Sequence, residues 1–95
     1  MKRLWGKLNR NNRLINDVAV ELRGEIDADG FFDDLIGSTV EALREICDVM
    51  DIENPIWLET NTEEFQRRHK TAFFADNYMD TPEFDCLEIE VIEGR

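Results

Sequence analysis

Between Phe32 and Met50 the residues Phe32, Leu35, Ile36, Val40, Leu43, Ile46, Cys47 and Met50 return at steps of three and four. That period lays one apolar stripe along a helix of about five turns, and such a stripe requires a second apolar surface to cover it. Asp33, Asp34, Glu41, Arg44, Glu45 and Asp48 fall largely on the opposite side. Acids near the start suit the positive end of a helix, and Pro55 requires the helix to stop before it. At 95 residues, the chain has material for a single core, so one domain spanning 1–95 is expected.

The covering surface is predicted from segments of period two. Leu4, Gly6 and Leu8 alternate with Trp5 and Lys7. After Asn9-Arg10-Asn11-Asn12, Leu14, Val18, Val20 and Leu22 oppose Ile15, Asp17, Ala19 and Glu21. Asparagine tolerates left-handed backbone, so the Asn-rich stretch reads as the loop of a β-hairpin. Near the C-terminus, Leu87, Ile89 and Val91 alternate with Glu88 and Glu90, the mark of a strand with one buried face.

Between these, Ile56-Trp57-Leu58 reads as a short strand. Thr60 to Glu63 reads as a capping box opening a helix through about Arg68, and Thr71 to Phe74 as another strand. Asp76 to Pro82 is expected to be a turn or one helical turn. The layout β-β-α-β-α-β-β predicts an α+β fold, with one long helix packed across a small antiparallel sheet of the N-terminal hairpin and the C-terminal strand.

The second half carries a set of residues worth naming together: Pro55-Ile56-Trp57-Leu58, Asn61, Glu64-Phe65, Lys70-Thr71, Phe73, Asp76-Asn77-Tyr78, Phe84-Asp85 and Leu87-Glu88-Ile89. With the opening Leu4-Trp5-Gly6 and Asn12-Arg13-Leu14-Ile15, this set resembles a group of small uncharacterised proteins of Gram-positive anaerobic bacteria. The resemblance covers most of the chain apart from Gly24 to Phe31. It implies an ordinary housekeeping or regulatory protein and brings no activity with it.

Charge narrows the function classes. The net charge is -11, from 22 acids and 11 bases. Met1 to Arg23 carries +4, Gly24 to Glu64 carries -12 and Phe65 to Arg95 carries -3. A chain so acidic argues against direct nucleic-acid binding, which calls for a basic face. No apolar run approaches the roughly 20 residues of a membrane span, and no secretory-signal pattern follows Met1. Cys47 and Cys86 are too few and too far apart for a disulfide framework or a zinc site. These features together predict a cytoplasmic protein.

Candidate chemistry is sparse. Glu25-x-Asp27-x-Asp29-Gly30-x-x-Asp33 resembles the opening of a calcium loop, but Ile36 stands where the closing carboxylate belongs. At most a weak cation site is expected there, so no metal or cofactor is assigned. His69 lies in the basic run Arg67-Arg68-His69-Lys70, with no visible partner to orient it for acid–base work. Those cations suit a helix C-terminus or could hold an anion. Cys47 sits on the apolar stripe, and acids flank Cys86, which disfavours a thiolate. Ser38 has no nucleophile-elbow sequence around it, and the glycines form no phosphate loop. The expectation is therefore not an enzyme.

The acidic helix face is the best candidate surface, with Asp34, Glu41, Glu45 and Asp48 as its contact residues. It predicts a small binding module for a protein with a basic surface. The alternative is a nucleic-acid mimic that inhibits a basic nuclease or defence complex, in the manner of anti-restriction or anti-CRISPR proteins. A third reading is a weakly metal-regulated domain at the Glu25 to Asp33 loop. Monomer and homodimer are both compatible with the sequence, as are buried and surface roles for Trp5 and Trp57.

Overall fold

The computed structural model describes residues 2–26, 28 and 34–93. Four strands form one antiparallel sheet: β1 (Lys2–Arg10), β2 (Arg13–Glu21), β3 (Lys70–Phe73) and β4 (Cys86–Glu93), in the order β2-β1-β4-β3. Two helices, α1 (Leu35–Met50) and α2 (Glu59–Arg68), complete the α+β architecture. α1 lies against β2 and β1, and α2 lies against β3. The strand expected at Thr71 to Phe74 is β3, which joins the hairpin and the last strand as an edge of the sheet, and the short helix expected through Arg68 is α2, so two helices pack on the sheet where one long helix was expected across it.

The β1–β2 hairpin closes more tightly than its four polar residues suggest. Only Asn11 and Asn12 form the turn, with φ of 53° and 61°. Two consecutive left-handed residues are what the right-handed strand twist selects in a two-residue hairpin turn. Asp85 braces it, its Oδ2 accepting from the Asn11 N–H at 2.7 Å.

One face of the sheet carries Leu4, Gly6 and Leu8 of β1, Val18 and Val20 of β2, Thr71 and Phe73 of β3, and Leu87, Ile89 and Val91 of β4. Leu43, Ile46 and Cys47 of α1 and Phe65 of α2 close this core. At Gly6 the helix comes close: a Cβ there would stand 2.8 Å from Cγ2 of Ile46. The opposite sheet face bears polar groups. Trp5 donates its indole N–H to Asp17 at 2.9 Å, Lys7 lies 4.2 Å from the Trp5 ring centre, and its ammonium bridges Glu88 at 2.7 Å and Glu90 at 3.2 Å. Burial disfavours the charged Lys7, but the hydrogen bonds and charges of Glu88 and Glu90 outweigh it and raise its pKa.

Three expectations are corrected. The period-two alternation breaks at Ile15: Leu8 pairs with Asn16 while Asn9 pairs with Leu14, leaving Ile15 as a bulge. Leu14 is thereby turned off the core face, and both Leu14 and Ile15 are half exposed. Residues Ile56-Trp57-Leu58 join no strand. The Ile56 N–H bonds to the Asn77 carbonyl at 2.6 Å, and the Ile56 carbonyl accepts from Asn77 Nδ2 at 3.0 Å, so neither group is left for a ladder. The opening of α2 is held by Asn61, which accepts from the Leu58 N–H at 2.9 Å, and not by the Thr60–Glu63 pair. Trp57, partly buried, packs against the core at 5.8 Å from Phe65 and 5.6 Å from Phe73, whereas Trp5 belongs to the opposite sheet face.

α1 ends at Met50, well before Pro55. Asp51 takes the left-handed conformation at φ 56°, and the N–H groups of Asp51 and Ile52 turn back to the carbonyls of Asp48 and Cys47. That pair of bonds is a Schellman ending, with aspartate where glycine is usual. Phe32 and Asp33, expected in the first turn, lie outside the described residues.

Candidate functional site

The core of α1 dictates where its carboxylates go. With Leu43, Ile46 and Cys47 buried against the sheet, Glu41, Glu45 and Asp48 are turned to solvent. The spacing 34–41–45–48 keeps them on one stripe, with a length of about 21 Å at 1.5 Å per residue. Asp34 is exposed at the head of that stripe and is also the helix cap, with Oδ1 accepting from the Gly37 N–H at 2.9 Å. One of its oxygens therefore serves the fold. Among the described residues the salt bridges are those of Lys7, so Glu41, Glu45 and Asp48 carry no ion-pair partner.

The edge strand adds to this surface. A shallow hollow beside α1 is lined by Glu21, Arg23, Ser38, Glu41, Ala42 and Glu45. It adjoins a second, of about 360 Å3, in which Arg23, Gly24, Glu25 and Asp34 meet the first turns of the helix. Glu21 and Glu25 thus extend the acidic face, and Arg23 interrupts it. Sequence reasoning missed Glu21 and Arg23, and read Glu25 only as part of a calcium-like loop, because all three precede the helix by a loop and only the packing of this segment against α1 brings them alongside.

The remaining candidates are placed as follows. Asp27, Asp29, Gly30 and Asp33 of the calcium-like pattern lie outside the described residues. Among those described, no three His, Cys, Asp or Glu side chains are grouped to hold a metal ion. His69 ends α2 in the left-handed conformation, its N–H returning to the Phe65 carbonyl at 2.8 Å and its own carbonyl accepting from Val91 at 2.9 Å. Arg67 and Arg68 complete the last turn, where cations oppose the negative end of the helix. Both cysteines are free. Burial pushes the Cys47 thiol up to about 11, with Asp48 adding to the shift, so it is a protonated core group. Cys86 is half-buried, with Asn9 Nδ2 at 3.7 Å from its sulfur.

A larger groove, of about 430 Å3, opens where α1 ends. Leu8, Ile15, Met50, Ile52, Tyr78 and Phe84 supply its apolar lining, with Arg10, Asp51, Glu53, Asp80 and Glu83 also bordering it. The Tyr78 ring meets Phe84 edge to face at 5.5 Å. Its hydroxyl is shut off from solvent without a hydrogen-bond partner, and burial, then the negative surroundings of Cys47, Glu53 and Cys86, push its pKa well above the usual phenol value.

Comparison with protein-family profiles, with curated proteins and with solved structures finds no match. Asn61, Glu64, Thr71 and Asn77 of the second half converge on a structural task. Asn61 donates to Thr71 Oγ1 at 2.9 Å and to the Ala72 carbonyl at 3.2 Å, and accepts from Asn77 at 3.0 Å. Thr71 in turn donates to Glu64 at 2.7 Å, and Asn77 Oδ1 accepts from the Phe74 N–H at 3.0 Å. This network ties the 52–58 segment, α2, β3 and the turn after it into one unit.

Proposed function

We propose that this chain is a non-enzymatic binding module that engages a protein with a basic surface through Asp34, Glu41, Glu45 and Asp48. The observation that carries the reading is the exposure of these carboxylates along one rigid helix, without cationic partners among the described residues. A predominantly acidic field on a fixed scaffold speeds the arrival of a cationic partner and weakens with salt. Glu21 and Glu25 broaden the face beyond a single helix. A reducing, cytoplasmic setting suits two free thiols on separate elements. Among the described residues no helix is long and apolar enough to cross a membrane.

The test is a tagged pull-down followed by partner identification and a salt series. The combined variant Asp34→Asn, Glu41→Gln, Glu45→Gln and Asp48→Asn should fold, since Asn keeps the cap oxygen and the other three sites are exposed. It should lose the partner at physiological salt. Retention by the variant with unchanged affinity overturns the reading. The nucleic-acid-mimic version of the same surface requires in addition that the partner be a nuclease or defence protein and that DNA compete for it.

A further inference from the structure

We infer that the groove at the C-terminal end of α1 is an anchor socket of the same binding surface. Its occupant is a basic segment of a partner protein that carries one large apolar side chain beside Lys or Arg. This inference rests on the reading above in one respect, the basic character of the partner, and adds where and how that partner is held.

Two features point to this occupant. The first is the lining: Leu8, Ile15, Met50, Ile52 and Phe84 offer an apolar floor, and about 430 Å3 accommodates a Leu- or Phe-sized group with room for the adjoining backbone. The bulge that expels Ile15 from the ladder leaves its side chain half exposed at this groove. Met79, between the lining residues Tyr78 and Asp80, is 88% exposed, and an unbranched thioether adapts readily to an incoming apolar surface.

The second feature is charge. Among the described residues that line the groove, Asp51, Glu53, Asp80 and Glu83 stand against one cation, Arg10. An apolar site with such a border favours an apolar group flanked by cations and disfavours one flanked by acids. The groove also follows directly from the acidic stripe, because Asp48 precedes Asp51 by three residues and Met50 to Glu53 all line it.

The experiment uses the full chain and three blocked pentapeptides in an NMR titration at low salt: Lys-Lys-Leu-Lys-Lys, Lys-Lys-Gly-Lys-Lys and Glu-Glu-Leu-Glu-Glu. The leucine-centred basic peptide should shift the amides of Met50 to Glu53 and Tyr78 to Phe84, and should bind at least tenfold more tightly than the glycine-centred one. The acidic peptide should leave the groove amides in place. Ile15→Lys, a change at a half-exposed bulge, should abolish the leucine preference while leaving the thermal midpoint close to that of the parent. Equal binding of the two basic peptides, with shifts confined to the α1 stripe, overturns the socket and leaves the acidic-face reading standing. Groove binding that survives Glu41→Lys with Glu45→Lys at unchanged affinity supports the socket and counts against the stripe. Absence of binding by both basic peptides overturns the socket.

Discussion

Asn77 donates its side-chain amide to Asn61 Oδ1 at 3.0 Å, and both side chains are buried. Two side chains 16 residues apart thereby fasten four segments of backbone. The same Asn61 oxygen accepts from the Leu58 N–H, and the same Asn77 nitrogen donates to the Ile56 carbonyl. Asparagine suits the position because it donates and accepts from one short, neutral group.

Replacing Asn61 by Ala should therefore cost about 2–4 kcal/mol, mainly from the buried donors and acceptors left behind. Asn77→Ala should cost a similar amount. Because the two share a bond, the double variant should be less destabilised than the two losses added together, as read from urea unfolding midpoints. Strict additivity would show that the two act independently.

The seat of α1 on β1 is tested at Gly6. An added Cβ meets Cγ2 of Ile46, which is the branch of a side chain fixed at its own Cβ and so cannot swing aside cheaply. Gly6→Ala should cost about 1–3 kcal/mol by overpacking. In an Ile46→Ala background the same change should cost much less, and an equal cost in both backgrounds would remove Ile46 from the explanation.

Cys47 should resist iodoacetamide in the native chain at pH 8 while the half-buried Cys86 reacts, and should become reactive only as the chain unfolds. The pH dependence has a definite sign. The ordinary thiol value is 9.0 and the folded value is about 11, so between them the unfolded chain releases a proton that the folded chain keeps. Stability should fall across that interval as pH rises. Cys47→Ala should lessen the fall relative to the parent, measured by urea unfolding at pH 8 and pH 10.5.

Asp51 holds a left-handed backbone next to the negative end of α1. Both circumstances are unfavourable to an aspartate, and glycine relieves them together. Asp51→Gly should raise stability by about 0.5–1 kcal/mol, read as a higher thermal midpoint. A lowered midpoint would mean that the Asp51 side chain contributes more to the fold than its backbone costs.

Much of this fold is written locally. The three-and-four spacing from Leu35 to Met50 suffices for α1, because a helix satisfies its own backbone and needs only a stripe to face inward. Asn11-Asn12 between alternating segments suffices for the hairpin, and Leu87, Ile89 and Val91 for β4. The exposure of Glu41, Glu45 and Asp48 follows from the same period that buries Leu43 and Cys47. Tertiary structure decided what depends on partners distant in sequence. Ile56 gave its backbone bonds to Asn77 and not to a strand, the bulge at Ile15 turned Leu14 outward, and β2 brought Glu21, Arg23 and Glu25 beside α1. The groove at the end of α1 likewise draws on β1, β2, the helix end and the 78–84 segment at once. A period is a property of neighbours along the chain. Strand pairing, side-chain locks and concave surfaces are properties of neighbours in space, and no local pattern encodes which those will be.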